Sequence, residues 1–152
     1  MVGGAAYSSP MDVASPNLAA DERSAVLAAR AAAVIQVLIG LGFGAGALWA
    51  VLHLVQNGEL PMTPWGFRAM AGPFEVLGDD AFSALGIALA VVCAVDIAAG
   101  VWLWRLQRRG LQLGIVTALP QLALGLGFAL PFQLVSIPLR VGLALAARRS
   151  LR

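Results

Sequence analysis

The sequence predicts an all-α, polytopic membrane protein, a bundle of four transmembrane helices with both termini in the cytosol. Three observations carry that expectation. The 152-residue chain is 60% hydrophobic and 12% charged, where a soluble domain carries about 25% charged residues. Its apolar residues lie in runs long enough to cross a bilayer, without the polar stripe that every helix of a soluble bundle shows to water. Its arginines gather beside alternate ends of those runs. Backbone groups that face lipid must be satisfied within their own segment, so the runs are read as helices.

Residues 1–20 mix Gly, Ser, Pro, Ala and Asn without periodicity and lack the basic start and apolar core of a signal peptide. They are expected to form a disordered cytosolic tail. Asp21 then suits a helix N-cap, with Glu22 beside it at the positive end of the dipole. The first span, 31–55, holds no Asp, Glu or Arg. Its length of ~37 Å covers a ~30 Å hydrocarbon core with some tilt. The second, 81–104, is interrupted by Asp96 alone. From Gly110 to Leu139 there is no charge, and the apolar character resumes after Arg140 as far as Ala147. One helix over that stretch would be ~57 Å long, so it must fold back. The break belongs at Phe128-Ala129-Leu130-Pro131-Phe132, giving a third span at 111–130 and a short fourth at 132–147.

Orientation follows from the arginines. Arg23 and Arg30 precede the first span, Arg105, Arg108 and Arg109 separate the second from the third, and Arg148, Arg149 and Arg152 follow the fourth. The connector 56–80 carries Glu59, Glu75, Asp79 and Asp80 against Arg68. Arginine is retained on the cytoplasmic side, so this connector faces outward and the location is the plasma membrane, the inner membrane of the cell. Trp102 and Trp104 suit the inner interface, and Trp49 and Trp65 the outer one. Within the connector, Thr63 reads as an N-cap and Pro64 as the first residue of a short interfacial helix resting Trp65, Phe67 and Met70 on the membrane.

Charges inside spans are costly and mark function or packing. Asp96 lies nine residues before Arg105, ~13 Å along its helix, and Arg140 eight before Arg148, ~12 Å. The two share a depth and are expected to face each other as an ion pair. Gln36, six residues from Arg30 and so ~9 Å deep, is placed to join them. The expectation is a structural clamp; a gated proton or ion site is the competing reading. Gly40 with Gly44 and Gly42 with Gly46 form overlapping GxxxG patterns for close helix packing, and Ala90, Ala94 and Ala98 line one face of the second span. Pro120 and Pro138 free the carbonyls of Val116 and Leu134, which Thr117 and Arg140 could take up. Gln121 is expected to bond across helices, His53 to sit near the outer interface, and Cys93 to be a small buried residue.

The inventory excludes several chemistries. There is no Lys for a Schiff base or a P-loop. One Cys and one His cannot build a disulfide, a cysteine zinc site or an HExxH motif. Ser136 has no His at its depth, so no hydrolase dyad is expected. No enzyme, cofactor, metal site or nucleic-acid partner is therefore expected. The partners expected are the lipid bilayer and either another membrane protein or a second copy. The function expected is association, as an accessory or assembly subunit, the alternative being a small oligomeric transporter or channel lined by Asp96 and Arg140.

The segment Gly100-Val-Trp-Leu-Trp-Arg-Leu-Gln-Arg-Arg-Gly110, followed by a long apolar hairpin, resembles a loose class of small four-span prokaryotic membrane proteins. Its members repeat Gly-x-Trp-x-x-Arg before a basic turn and a Gly. The resemblance covers about the C-terminal half and implies four spans without implying an activity.

Overall fold

The computed structural model describes residues 16–64 and 66–151, with side chains from Ala20 onward. Four α-helices account for most of them: α1 (Pro16–Asn57), α2 (Asp79–Trp104), α3 (Arg108–Gly127) and α4 (Pro131–Ala146), the last continued by a 3-10 turn at Ala147–Ser150. Among the described residues the only β pairing is an isolated bridge between Met62 and Arg68. The main contacts run α1 to α2, α2 to α3, α3 to α4 and α4 to α1, so the helices follow one another around the bundle in chain order. Three helices, α1 from Ala20, α2 and α3, are long and apolar enough to cross a membrane.

The packing is inverted relative to a soluble bundle. Buried positions include many alanines and the polar residues Gln36, Asp96, Thr117, Gln121, Gln133, Ser136 and Arg140. The outside carries Leu, Val, Ile, Trp and Phe, with Leu119 74% and Phe132 79% exposed. Water would penalise such a surface heavily, and a soluble monomer rarely shows so large an apolar area. Hydrocarbon is the solvent that suits it.

Two apolar clusters fill the interior. One lies toward the connector and contains Ala47, Leu54, Leu60, Phe82, Leu89, Cys93, Leu124 and Phe128. Phe74 and Phe82 each meet Phe128 edge to face at 5.1 Å. The other lies at the basic end, where Ala29, Ala32 and Ala33 pack with Leu103, Ala144, Ala147 and Leu151. The buried polar residues of α1, α2 and α4 fall between these clusters in sequence and in space.

Several expectations are corrected by the structure. The helix begins at Pro16 rather than near Asp21. Leu18-Ala19-Ala20 favours helix, and with residues 16–20 already helical Asp21 is interior and caps nothing. Of the expected disordered tail, 16–20 are helical, and residues 1–15 lie outside the described residues. Trp65 and Arg152 lie outside them as well. The third and fourth helices sit at 108–127 and 131–146, a shift of one to three residues from 111–130 and 132–147.

No helix forms at Thr63. Gly66 takes φ +83, a left-handed conformation that ends a helix and closes a tight turn. The Gly66 N–H donates to the Thr63 carbonyl, and the Thr63 hydroxyl donates to the Phe67 carbonyl at 2.8 Å. The connector's short helix lies later, a 3-10 turn at Pro73–Leu77, where Glu75 accepts from the Gly72 N–H and pairs with Arg68 at 3.0 Å.

Of the alanine face expected on α2, Ala90 packs against the cluster toward the connector and the other two alanines do not. Ala94 and Ala98 point outward, while Phe82, Gly86, Leu89, Cys93, Asp96, Gly100 and Leu103 form the buried line. Asp96 sets this rotation, because a carboxylate must turn inward before an alanine has any reason to. The two GxxxG registers of α1 divide. A Cβ on Gly40 would meet Ile97 Cγ1 at 2.8 Å, and one on Gly44 would meet Cys93 Cβ at 3.1 Å, so this pair packs on α2. Gly42 and Gly46 meet nothing within 4 Å.

Candidate intramembrane polar site

All four helices contribute to one buried polar cluster. Asp96 of α2 is its centre and is fully buried. Gln36 of α1 donates from Nε2 to Asp96 Oδ1 at 2.7 Å. Thr117 of α3 donates from its hydroxyl to the same oxygen at 2.9 Å. Arg140 of α4 donates from Nη1 to Asp96 Oδ2 as an ion pair, and from Nη2 to Gln121 Oε1 of α3. Both carboxylate oxygens are thus occupied. The Asp96–Arg140 pair bridges α2 and α4, which sit across the bundle from each other.

Small residues make this reach possible. Gly114 of α3 lies against Gln36, whose Nε2 would be 2.9 Å from a Cβ placed there. Gly100 lets α1 approach, its absent Cβ being 2.8 Å from Val37 Cγ2 and 3.1 Å from the Ala33 carbonyl. The side chains of the cluster therefore meet because backbones nearby can touch. The space left beside Gln36, Gly114 and Arg140 is about 10 Å³. That is room for about one water molecule.

The proline expectations resolve differently. Helices α3 and α4 continue through Pro120 and Pro138. Thr117 directs its hydroxyl to Asp96 and to the Gly114 carbonyl at 3.2 Å, and the Arg140 guanidinium goes to Asp96 and Gln121. Neither serves the carbonyls of Val116 or Leu134. An ion held in a bundle core outcompetes a neutral carbonyl for the strong donors.

Gln133 went unnoticed in the sequence. It is fully buried, and among the described residues neither its Oε1 nor its Nε2 has a partner; Gln121 Nε2 and Arg140 Nε are also unpartnered there. The signal available was spacing: Gln133, Ser136 and Arg140 share one face of α4 at helical intervals. Ser136 spends its hydroxyl on the Gln133 carbonyl at 2.8 Å. Because two orphaned amide atoms are removed without loss of a bond, Gln133→Leu is expected to raise stability by about 1–2 kcal/mol. Thermal unfolding in detergent checks this, and a lowered midpoint would show that Gln133 holds something the fold needs.

Other candidates stand apart from the cluster. His53 is partly exposed near the connector end of α1, its ring 6.2 Å from that of Trp49. Cys93 is buried against α1. Among the described residues no three His, Cys, Asp or Glu side chains gather where a metal could bind. At the basic end, Arg30 stacks over Trp104 at 5.4 Å and Arg108 Nε donates to the Leu151 carbonyl at 3.3 Å. Compared with known protein families, with characterised proteins and with solved structures, the chain matches none.

Proposed function

We propose that the protein is a four-span plasma-membrane protein, with both termini in the cytosol, that acts by association with another membrane protein as an accessory or assembly subunit. The observation that carries this reading is the full engagement of the Asp96 carboxylate at the centre of the polar cluster. Asp96 is fully buried and has both oxygens engaged by Gln36, Thr117 and Arg140. A group so fully engaged positions helices and offers no free atom for chemistry. The segregation of charge supports four crossings: Arg105, Arg108, Arg109, Arg148 and Arg149 fall at one end of the helices, and Glu59, Glu75, Asp79 and Asp80 at the other. α4 has 16 residues, ~24 Å, and the turn at Ala147–Ser150 extends it toward the basic end. The likeness of Gly100–Gly110 to small four-span proteins agrees with this count.

An associating subunit needs a face for its partner, and α1 keeps Gly42 and Gly46 open within the apolar exterior. Purification in mild detergent is expected to yield a complex of fixed stoichiometry, with the partner lost from Gly42→Leu and Gly46→Leu variants. A single unaccompanied copy, unchanged by these substitutions, would contradict the proposal.

The unpartnered atoms of Gln133, Gln121 and Arg140 favour a second reading, a small oligomeric transporter or channel with Asp96 and Arg140 in its path. On that reading Gln133→Leu abolishes flux through reconstituted vesicles. On the association reading vesicles carrying the parent protein are as tight as empty ones.

A further inference from the structure

A groove of about 270 Å³ runs along the outside of the α1/α2 contact, at the end of the bundle where the arginines gather. Ala33, Val34, Val37 and Leu38 of α1 line one side, and Gly100, Val101 and Trp104 of α2 the other. At Gly100 α1 lies close against α2, where a Cβ would meet Val37 Cγ2 at 2.8 Å and the Ala33 carbonyl at 3.1 Å. Every lining side chain is apolar or aromatic, so water gains no partners there, while a flexible hydrocarbon chain gains contact on three sides.

The mouth of the groove has a different character. The guanidinium of Arg30 lies over the Trp104 ring at 5.4 Å. Stacking occupies one face of the guanidinium and leaves its edge donors directed outward. Arg30 is exposed and has no carboxylate partner, since the ion pairs among the described residues are Arg68 with Glu75 and Arg140 with Asp96. A planar fork of donors fixed on an aromatic ring matches two oxygens of a phosphate. Arg105 follows Trp104 directly in sequence and adds positive charge at this level.

We propose that this groove is a binding site for one anionic phospholipid, with its phosphate on Arg30 and one acyl chain lying between Val34, Leu38 and Val101. The distances agree with the bilayer: from Ala33 to Leu38 the groove descends ~7.5 Å, the depth of the first acyl carbons below an arginine at the interface. The site rests on the reading that α1 and α2 cross a membrane, and the experiment separates the two claims.

The full chain carrying Trp49→Phe, Trp65→Phe and Trp102→Phe keeps Trp104 as its single tryptophan, excited at 295 nm where Tyr7 does not absorb. It is reconstituted into phosphatidylcholine vesicles containing increasing fractions of brominated phosphatidylglycerol or brominated phosphatidylcholine. Trp104 is expected to be quenched at about fivefold lower mole fraction of the brominated phosphatidylglycerol, the preference that one interfacial arginine supplies. Arg30→Gln removes the preference, and Val34→Phe, which fills the groove from its exposed wall, weakens quenching by both lipids. Equal quenching curves in the parent, or a preference that survives Arg30→Gln, would overturn the lipid site and leave the membrane reading intact. Absence of quenching by either lipid would overturn both. Should the single-tryptophan chain fail to fold, native mass spectrometry of the unaltered protein from mixed phosphatidylglycerol and phosphatidylcholine micelles replaces it. One retained phosphatidylglycerol, lost in Arg30→Gln, supports the site; retention without preference overturns it.

Discussion

Alanine in place of Asp96 is expected to cost the fold about 3–5 kcal/mol, the largest loss available from one side chain in this protein. The substitution strips Arg140 of its counter-ion while leaving the guanidinium 2% exposed. It also releases Gln36 Nε2 and the Thr117 hydroxyl, both of which donate to the lost carboxylate. Arg140→Met leaves the carboxylate buried with two neutral donors and is expected to cost a similar amount. The informative variant is the double one. Asp96→Leu with Arg140→Met removes both charges at comparable volume, and apolar replacements of buried pairs are neutral or stabilising. Unfolding in mixed micelles with increasing denaturing detergent measures all three. Two large single losses are expected, and a double variant that loses clearly less than their sum, its remaining cost being the Gln36 Nε2 and Gln121 Oε1 atoms left buried without a partner. Losses that simply add would mean that the two residues act independently.

Gly110→Ala is the second large effect, expected at about 3 kcal/mol or more, at or above the top of the range for inserting one carbon into a packed core. Gly110 follows the turn between α2 and α3, where a Cβ would lie 2.4 Å from Leu103 N, 2.7 Å from the Ala99 carbonyl and 2.9 Å from Leu103 Cα. All three are backbone atoms, so no side chain can swing away to make room. The hairpin must open, and the Gln36 and Thr117 bonds beyond it are disturbed in turn. Gly42→Ala serves as the control. Nothing lies within 4 Å of that position, and alanine is the better helix former, so the single copy should gain up to ~1 kcal/mol. Thermal midpoints in detergent separate the two; equal gains would show that helix propensity, rather than contact, governs these glycines.

Much of the architecture is written in hydropathy and charge. The break before Pro131 is forced by length, because one helix from Gly110 to Ala147 would overshoot the bilayer. Counting residues back from the basic turns sets Asp96 and Arg140 at one depth, and they are ion-paired. Charge works as a ruler here because arginines mark the interface and the rise per residue is fixed. Rotation about each axis is harder to read. Ala94 and Ala98 look like a packing seam, yet they are small enough to face lipid at no cost, whereas Asp96 is not. The same ambiguity divides Gly40 and Gly44 from Gly42 and Gly46, whose spacing is identical and whose neighbours differ only in three dimensions.

The connector defeated local reasoning for another cause. Thr63-Pro64 is a helix-start pattern, but Gly66 two residues on breaks it, and Thr63 finds a better acceptor in the Phe67 carbonyl. What orders the connector is tertiary: Phe74 lies on Gly127, and Gly72 on the backbone of Gly127 and Phe128. Gln121 illustrates the middle ground. A glutamine beside a proline deep in a span must bond across helices, but the sequence does not say that its partner is Arg140.

Four crossings with the polar cluster enclosed between them is the claim on which the account rests. Alkaline phosphatase and green fluorescent protein fused after Arg152 test it directly, since one is active only outside the cytosol and the other fluoresces only within it. Fluorescence without phosphatase activity at the C-terminus, and phosphatase activity when the fusion is made within the acidic connector 56–80, is the result expected. Phosphatase activity both within the connector and after Arg152 would leave two crossings between them where the four-span bundle requires three, and would contradict it.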